Sequence, residues 1–326
     1  MSEENKNIDL PDLVERIMQA VVQIKTASGQ GTGFFIRDDG LVITNKHVVG
    51  KDVFVKVSTR DHIEYDGQVC MGDPSTDYAF LFTNAPAKKV LSLSDSDSAR
   101  VAETVVAIGH PYGYDFTVSE GIISAIERHE VVPGLNSVGF LQLDAGINPG
   151  NSGGPLVRKN GDVIGVITLT LIDAKGVSFA IPSNIIKKAL DGFKNLSKEE
   201  ALQGEYCTVC GFLNEVGEKY CTKCGATWIA PVRPPGFNDV RQSPLMADGN
   251  VLSEDAVACS TCGAYNTPTE KYCNKCGAAL IHKAQSAVQS NVSSSQTASI
   301  NEEVACTSCG TVGLKNAYCS KCGTKL

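Results

Sequence analysis

Between residues 10 and 195, hydrophobic residues occur in short segments separated by Gly, Asp and Asn. Segments rich in Val, Ile, Phe and Thr recur at residues 21–26, 33–36, 41–45, 53–58, 104–109, 138–144 and 163–170. Many short strands with turn residues between them are typical of a β-sandwich or β-barrel. Two helices are predicted as well, one over 11–19 with Pro11 in its first turn and one over 182–193. The pattern predicts a mainly β domain over 12–195, preceded by an N-terminal segment at 1–11.

The last part of the chain has a different pattern, with few periodic apolar runs and three self-similar blocks at 207–226, 259–278 and 306–324. The segments between the blocks are rich in Pro, Gly and Asp or in Ser, Gln and Asn, and cannot bury enough apolar surface to offset the entropy of ordering. We therefore expect small modules joined by flexible linkers. The predicted modules cover 205–228, 257–281 and 304–326, and the predicted linkers cover 229–256 and 282–303.

Twelve of the 13 cysteines fall in these blocks. The spacing is C-x2-C-x10-C-x2-C in the first two blocks and C-x2-C-x9-C-x2-C in the third. Two such turns can place four thiolates tetrahedrally around one ion. The ligands of three expected Zn²⁺ sites are Cys207, Cys210, Cys221 and Cys224, then Cys259, Cys262, Cys273 and Cys276, and finally Cys306, Cys309, Cys319 and Cys322.

These blocks resemble zinc-ribbon modules, which implies structural Zn²⁺ that supplies on the order of 10 kcal/mol of folding free energy per site. A redox C-x-x-C would need a βαβ context, and iron–sulfur sites usually have different spacing. Cys70, the remaining cysteine, is expected to be a buried structural thiol.

Three residues in the β domain form a candidate catalytic set. Ser152 lies between glycines in the run G-N-S-G-G-P-L, His47 follows the segment 41–45, and Asp77 begins an apolar alternation. A serine hydroxyl needs an adjacent base to become a nucleophile, and the base needs an orienting acid. Asp73 is a competing acid, but Asp-Pro at 73–74 indicates a turn, so Asp77 is preferred. The other histidines lack a nucleophile context; they are His62, His110, His129 and His282.

The contexts of these residues resemble trypsin-like serine proteases of the HtrA/Deg type over about residues 12–193. The motifs that carry the resemblance are T-N-K-H-V-V at 44–49, D-x-A-x-L at 77–81, S-E-G-I-I-S-A-I at 119–126, G-N-S-G-G-P-L at 150–156 and G-V-S-F-A-I-P-S-N at 176–184. The resemblance implies two six-stranded barrels with the site between them. It implies that His47 is the general base, Asp77 the orienting acid and Ser152 the nucleophile. The backbone amides of Gly150 and Ser152 would then form the oxyanion hole.

The same resemblance gives expectations about specificity and activation. The residue six positions before Ser152 is Gly146 rather than an acid. With Ile147 and Thr170 lining the substrate pocket, we expect a small or medium apolar residue before the scissile bond. Asn151 stands where zymogen-activated relatives carry Asp, so activation by cleavage of the N-terminus is not expected. No cofactor is needed for the catalytic step.

Composition limits the choice of partner and compartment. The net charge is −7 and 42% of residues are hydrophobic, which does not favour a strongly basic nucleic-acid binder. The acidic N-terminus and the absence of a long apolar run predict a cytoplasmic protein with reduced thiols and no membrane segment. We expect protein or peptide substrates and, through the ribbons, protein partners, while nucleic acid is disfavoured. HtrA relatives are often trimers, so an oligomer is possible.

The leading hypothesis is a serine endopeptidase whose zinc-ribbon tail recruits substrates or partners. The ribbons occupy the place where HtrA-like proteases usually carry a peptide-binding PDZ domain. The alternative is a catalytically silent protease-fold adaptor or scaffold. A third hypothesis is a nucleic-acid-linked regulator that acts through the ribbons. The order His, Asp, Ser with matching contexts favours the enzyme.

Overall fold

The computed structural model describes part of the chain, which divides into two units, residues 1–282 and 283–326. The described residues are 9–110, 116–129, 131, 135, 138–148, 150–170, 176–193, 196–227, 231–240, 257–258, 265–267, 269–273, 277, 279–280, 303–305 and 312–314.

The first six strands close into a barrel in the order β1-β2-β3-β6-β5-β4. Its elements are β1 (Val21–Lys25), β2 (Gln30–Phe35), β3 (Leu41–Thr44), a short helix α2 (Lys46–Val49), β4 (Phe54–Ser58), β5 (Glu64–Asp73) and β6 (Tyr78–Thr83). Every residue of β3 and β6 is buried, because each strand has the barrel interior on one face and a second layer on the other. Their aromatic and β-branched side chains explain why this apolar sequence forms strands.

Six further strands close into a second barrel in the order β10-β11-β12-β9-β8-β7. They are β7 (Thr104–Gly109), β8 (Thr117–Arg128), β9 (Phe140–Leu143), β10 (Pro155–Arg158), β11 (Val163–Thr170) and β12 (Ser178–Pro182). The prediction of a mainly β, two-barrel fold is confirmed.

Helices cover the barrels at three places. The two predicted helices are present as α1 (Leu10–Met18) and α3 (Ser183–Asp191). Two further helices were not predicted, namely the short α2 and α4 (Lys198–Gln203). Helix α4 begins with a capping box between Ser197 and Glu200. Of the described helices, none is long and apolar enough to cross a membrane.

Short antiparallel pairs mark the three cysteine blocks. They are β13 (Glu205–Tyr206) with β14 (Leu213–Asn214), β15 (Val257–Ala258) with β16 (Tyr265–Asn266), and β17 (Glu303–Ala305) with β18 (Val312–Leu314). The third pair lies in the second unit.

Residues 231–240 belong to the expected linker 229–256, and side chains of this segment contact the first barrel. The Asn238 backbone and side-chain nitrogens donate to Asp66 Oδ2 at 2.8 and 2.9 Å. The Phe237 ring lies 4.7 Å from the Phe54 ring, and Val240 is fully buried. The composition suggested a linker, but these few side chains find partners on the first barrel.

Candidate active site

The first barrel places His47 against Asp77. His47 lies on α2, directly after β3, and Asp77 lies in the turn that begins β6. The His47 Nδ1 atom is 2.8 Å from Asp77 Oδ2, and the His47 amide donates to Asp77 Oδ1 at 2.9 Å. The Asp77 side chain is 8% exposed and that of His47 is 49% exposed. A buried carboxylate therefore orients a ring that solvent or substrate can reach.

Backbone contacts fix Asp77 in this position. Its φ is +56°, a left-handed conformation that Asp tolerates better than most residues. Its carbonyl oxygen accepts from the Asn45 side-chain amide at 3.0 Å and from the Lys46 backbone amide at 3.1 Å. The competing acid Asp73 accepts instead from the Ser75 amide and hydroxyl, so it holds the turn and does not orient the imidazole.

Thr168 of β11 is a residue of the site that the sequence did not reveal. Its hydroxyl donates to Asp77 Oδ2 at 2.6 Å, and its carbonyl oxygen accepts from Ser152 Oγ at 2.9 Å. The buried carboxylate thus receives three hydrogen bonds, two from His47 and one from the second barrel. The only available signal was a polar residue inside the apolar run 163–170.

The loop before β10 carries Ser152 at the interface between the barrels. The Thr32 amide donates to the Ser152 carbonyl oxygen at 2.8 Å, and the Thr32 hydroxyl donates to the Gly150 carbonyl oxygen at 2.5 Å. Gly153 has φ +89°, and a Cβ there would collide with the Thr32 carbonyl oxygen. Only glycine fits this close approach, which explains the residue that follows the serine. Among the described residues, Ser152 Oγ donates to Thr168 and not to His47.

Two amides of this loop have no hydrogen-bond acceptor among the residues that the structure describes. The amides of Asn151, Gly153 and Gly154 donate to backbone carbonyls. Within the described part of the chain, those of Gly150 and Ser152 do not. They are the two amides expected to form the oxyanion hole, and they are available to an external oxygen.

The three residues assigned to the substrate pocket lie close together. The Thr170 hydroxyl donates to the Ile147 carbonyl oxygen at 3.2 Å. The Ser119 hydroxyl donates to the Gly146 carbonyl oxygen at 2.7 Å. Ile147 is 7% exposed. Asn151, the remaining residue of interest in this loop, is fully buried. The segment 145–147 is therefore held between β8 and β11.

The first cysteine block brings its four sulfur atoms together, all within 4.8 Å of one another. Cys207 Sγ lies 3.8 Å from Cys224 Sγ, and Cys210 Sγ lies 3.5 Å from Cys221 Sγ. Burial raises the pKa of Cys210 to about 12. Burial also raises the pKa of Cys221, but hydrogen bonds from the Cys224 and Lys223 amides outweigh it and lower that pKa to about 6.

Of the second block, Cys273 is described and buried. The other predicted ligands lie outside the described residues; they are Cys259, Cys262, Cys276, Cys306, Cys309, Cys319 and Cys322. Cys70 is buried in the first barrel, and burial raises its pKa. This agrees with an inert structural thiol.

The part of the chain that forms the two barrels is similar to known proteins. Residues 31–166 match the family described as "Trypsin-like peptidase domain". The chain is 41% identical over 184 residues to a "Probable periplasmic serine endoprotease DegP-like" of Marinomonas sp. (strain MWYL1). This match covers 55% of this chain and 39% of that protein. It is 40% identical over 195 residues to "Serine protease HTRA1" of Xenopus tropicalis, covering 56% of this chain and 42% of that protein.

A solved structure gives the same result for the fold. The structure titled "HtrA-type protease AlgW with decapeptide" superposes with a TM-score of 0.52 and 29% identity, covering 57% of this chain and 67% of that one. Residues 31–166 thus resemble a trypsin-like peptidase domain, and the two barrels are similar to those of HtrA-type proteases. It spans about two fifths of the two curated relatives named above, at 39% and 42% of their lengths.

Proposed function

We propose that this protein is a serine endopeptidase in which Ser152, His47 and Asp77 act as nucleophile, general base and orienting acid. The observation that carries the proposal is the buried Asp77 carboxylate at 2.8 Å from His47 Nδ1, with Thr168 linking it to Ser152. An aspartate on Nδ1 leaves the other ring nitrogen as the proton acceptor and stabilises the imidazolium.

The proposed reaction starts with rotation of the Ser152 hydroxyl away from the Thr168 carbonyl oxygen towards His47. His47 then accepts the proton as Ser152 Oγ attacks the substrate carbonyl carbon. The oxyanion accepts hydrogen bonds from the amides of Gly150 and Ser152, each donor contributing roughly 3–4 kcal/mol to transition-state stabilisation. His47 gives the proton to the leaving amine as the peptide bond breaks. Water then attacks the acyl-enzyme while His47 accepts a proton from it, and His47 returns this proton to Ser152 Oγ as the ester bond breaks and the acid is released.

The first cysteine block supports a second part of the proposal, a zinc-ribbon tail with three structural Zn²⁺ ions. A tetrahedral Zn²⁺ with bonds of 2.3 Å to sulfur separates its ligands by about 3.8 Å. The sulfur pairs at 3.5 and 3.8 Å have this spacing, and both are far longer than a disulfide bond. Cys207, Cys210, Cys221 and Cys224 would hold the ion, which supplies folding free energy to a block with little core.

The substrates that suit this site are unfolded proteins or peptides with a small or medium apolar residue before the scissile bond. The ribbons would bind protein partners or substrates in addition. We propose a reducing compartment such as the cytoplasm, because closely spaced thiols without metal would otherwise oxidise. The DegP-like relative named above is described as periplasmic, so the compartment is a point on which the two proteins would differ.

A fluorophosphonate probe tests the proposal, because it forms a covalent bond only with an activated serine. We expect labelling of the zinc-loaded wild type at Ser152, identified by peptide mass spectrometry, and none of Ser152→Ala. An unlabelled wild type that also fails to cleave casein would support the silent adaptor instead.

A further inference from the structure

The first cysteine block and the segments on either side of it all contact strand β5 of the first barrel, and they also reach β4, β6 and α2. Strand β5 runs from Glu64 to Asp73 and leads into the turn that carries Asp77. The contacts come from three separate parts of the tail, before, within and after the block. All of these residues lie in the unit formed by residues 1–282.

The first contact precedes the block. The Gln68 side-chain amide donates to the Leu202 carbonyl oxygen of α4 at 3.4 Å, and the Lys198 ammonium donates to the Thr83 carbonyl oxygen at 3.0 Å. Ala201 and Leu202 are buried in the core. The chain that leads into the block is thus fixed to β5 and β6.

The second contact is made by the block itself. The Gly72 amide donates to the Gly211 carbonyl oxygen at 2.8 Å. Gly211 directly follows Cys210 and has φ +76°, and a Cβ there would collide with the Gly72 carbonyl. The absence of a side chain at Gly211 therefore allows the backbone of the cysteine turn to lie directly on β5.

The neighbouring Tyr206 and Lys46 continue this interface towards His47. Tyr206, which precedes Cys207, is 3% exposed and packs in the hydrophobic cluster of the first barrel. The Lys46 ammonium lies 5.9 Å from the centre of its ring. Lys46 directly precedes His47, and its backbone amide donates to the Asp77 carbonyl oxygen. The Lys46 side chain also packs on β5, since it lies 3.2 Å from the point that a Cβ on Gly72 would occupy. The third contact, Asn238 on the buried Asp66, ties the segment after the block to the same strand.

We infer that the first cysteine block is a positioning element of the active site, which sets the β5–β6 turn and α2 so that Asp77 and His47 meet. The inference rests on the proposed protease function and adds that metal in the first block supports catalysis without touching substrate. In this inference, metal binding folds the block. The folded block then places Gly211 against β5 and Tyr206 against Lys46. These two contacts fix the positions of Asp77 and His47 relative to each other.

Two glycines of the same block provide a matched test. Gly211 and Gly225 follow the second and fourth cysteines with φ of +76° and +73°, but only Gly211 approaches the barrel, since nothing lies within 4 Å of a Cβ at Gly225. Gly211→Ala and Gly225→Ala therefore add the same backbone strain to the block. The full-length proteins are compared for metal content, for active sites titrated with fluorophosphonate, and for kcat and KM per titrated site.

We expect Gly211→Ala to lower kcat per titrated site about tenfold or more, since small misplacements of catalytic groups are costly, with KM and metal content little changed. The kcat per titrated site of Gly225→Ala should stay close to that of the wild type. Equal kcat per site in wild type and both variants would overturn the inference while leaving the protease function intact. A wild type that neither labels nor cleaves would overturn both.

Metal removal provides the second measurement if Gly211→Ala does not fold. Chelation of the wild type should lower kcat per titrated site in step with loss of metal, while far-ultraviolet circular dichroism still shows the barrels. Unchanged kcat per site in the metal-free protein would contradict the inference.

Discussion

The Thr168 hydroxyl donates a hydrogen bond of 2.6 Å to Asp77 Oδ2. It joins β11 of the second barrel to the acid carried by the first barrel. The Thr168 carbonyl oxygen also accepts from Ser152 Oγ, so one residue contacts both ends of the proposed triad. The packing of the two barrels against each other therefore also places Asp77 and Ser152 relative to each other.

Thr168→Val should lower kcat about tenfold, because a hydrogen bond to a charged group contributes about 1.5–3 kcal/mol and the valine keeps the shape without the donor. KM should change little, since Thr168 contacts no substrate group in the proposed reaction. Steady-state kinetics on a peptide substrate check this. Thr168→Ser restores the hydroxyl and should recover most of the activity; a serine variant as slow as the valine variant would argue against the donor role.

Asp77→Asn should lower kcat roughly 10⁴-fold, because an amide keeps the geometry but stabilises the wrong imidazole tautomer. Asp73→Asn provides the control. The Asp73 side chain caps its own turn at Ser75, so its kcat should remain within about twofold of wild type, as expected for a surface substitution. If Asp73→Asn were the slower enzyme, the assignment of the orienting acid would be wrong.

Native mass spectrometry of freshly reduced, zinc-replete protein should find three Zn²⁺ ions per chain. The pattern of four cysteines occurs three times in the sequence. Cys224→Ser removes one thiolate from the first block and should reduce the count to two, because a site with three thiolates binds Zn²⁺ less tightly. A wild type carrying one ion or none would exclude the three-site tail.

Asn238→Ala should lower the free energy of unfolding by about 1–3 kcal/mol, because it removes one hydrogen bond to the buried Asp66 carboxylate and leaves those from the Asn238 backbone amide and the Lys56 ammonium. Asn184 is a suitable control, since its side chain bonds the exposed Asp95. Asn184→Ala should change stability by about 0.5 kcal/mol or less. Equal thermal or urea midpoints for the two variants would show that the Asn238 side chain contributes no more to stability than an exposed asparagine does.

The sequence predicted local features well. Periodicity gave helices close to Leu10–Met18 and Ser183–Asp191, and the repeated cysteine spacing marked the blocks. The three proposed triad residues were singled out because their short contexts resemble those of a known family. The helix after Ser197 was missed although its capping-box signal, a serine followed three residues later by Glu200, was present in the sequence.

Contacts between distant parts of the chain were not predictable in this way. Thr168 looked like one more strand residue, because its partner Asp77 lies on the other barrel. Composition suggested a flexible linker that includes 231–240. A single asparagine that binds a buried carboxylate does not change the average composition of a segment, so this contact could not be predicted. The contact of Gly72 with Gly211 joins residues far apart in the sequence, and only the folded chain shows that they meet.

The most direct test of the account is cleavage of an unfolded protein by zinc-loaded wild type and by Ser152→Ala, with products identified by mass spectrometry. Ser152→Ala removes only the nucleophilic oxygen, and both proteins should show the same circular dichroism and metal content. The account predicts cleavage by the wild type, mainly after small or medium apolar residues, and none by Ser152→Ala. Equal cleavage by the two proteins, or none by either, would contradict it.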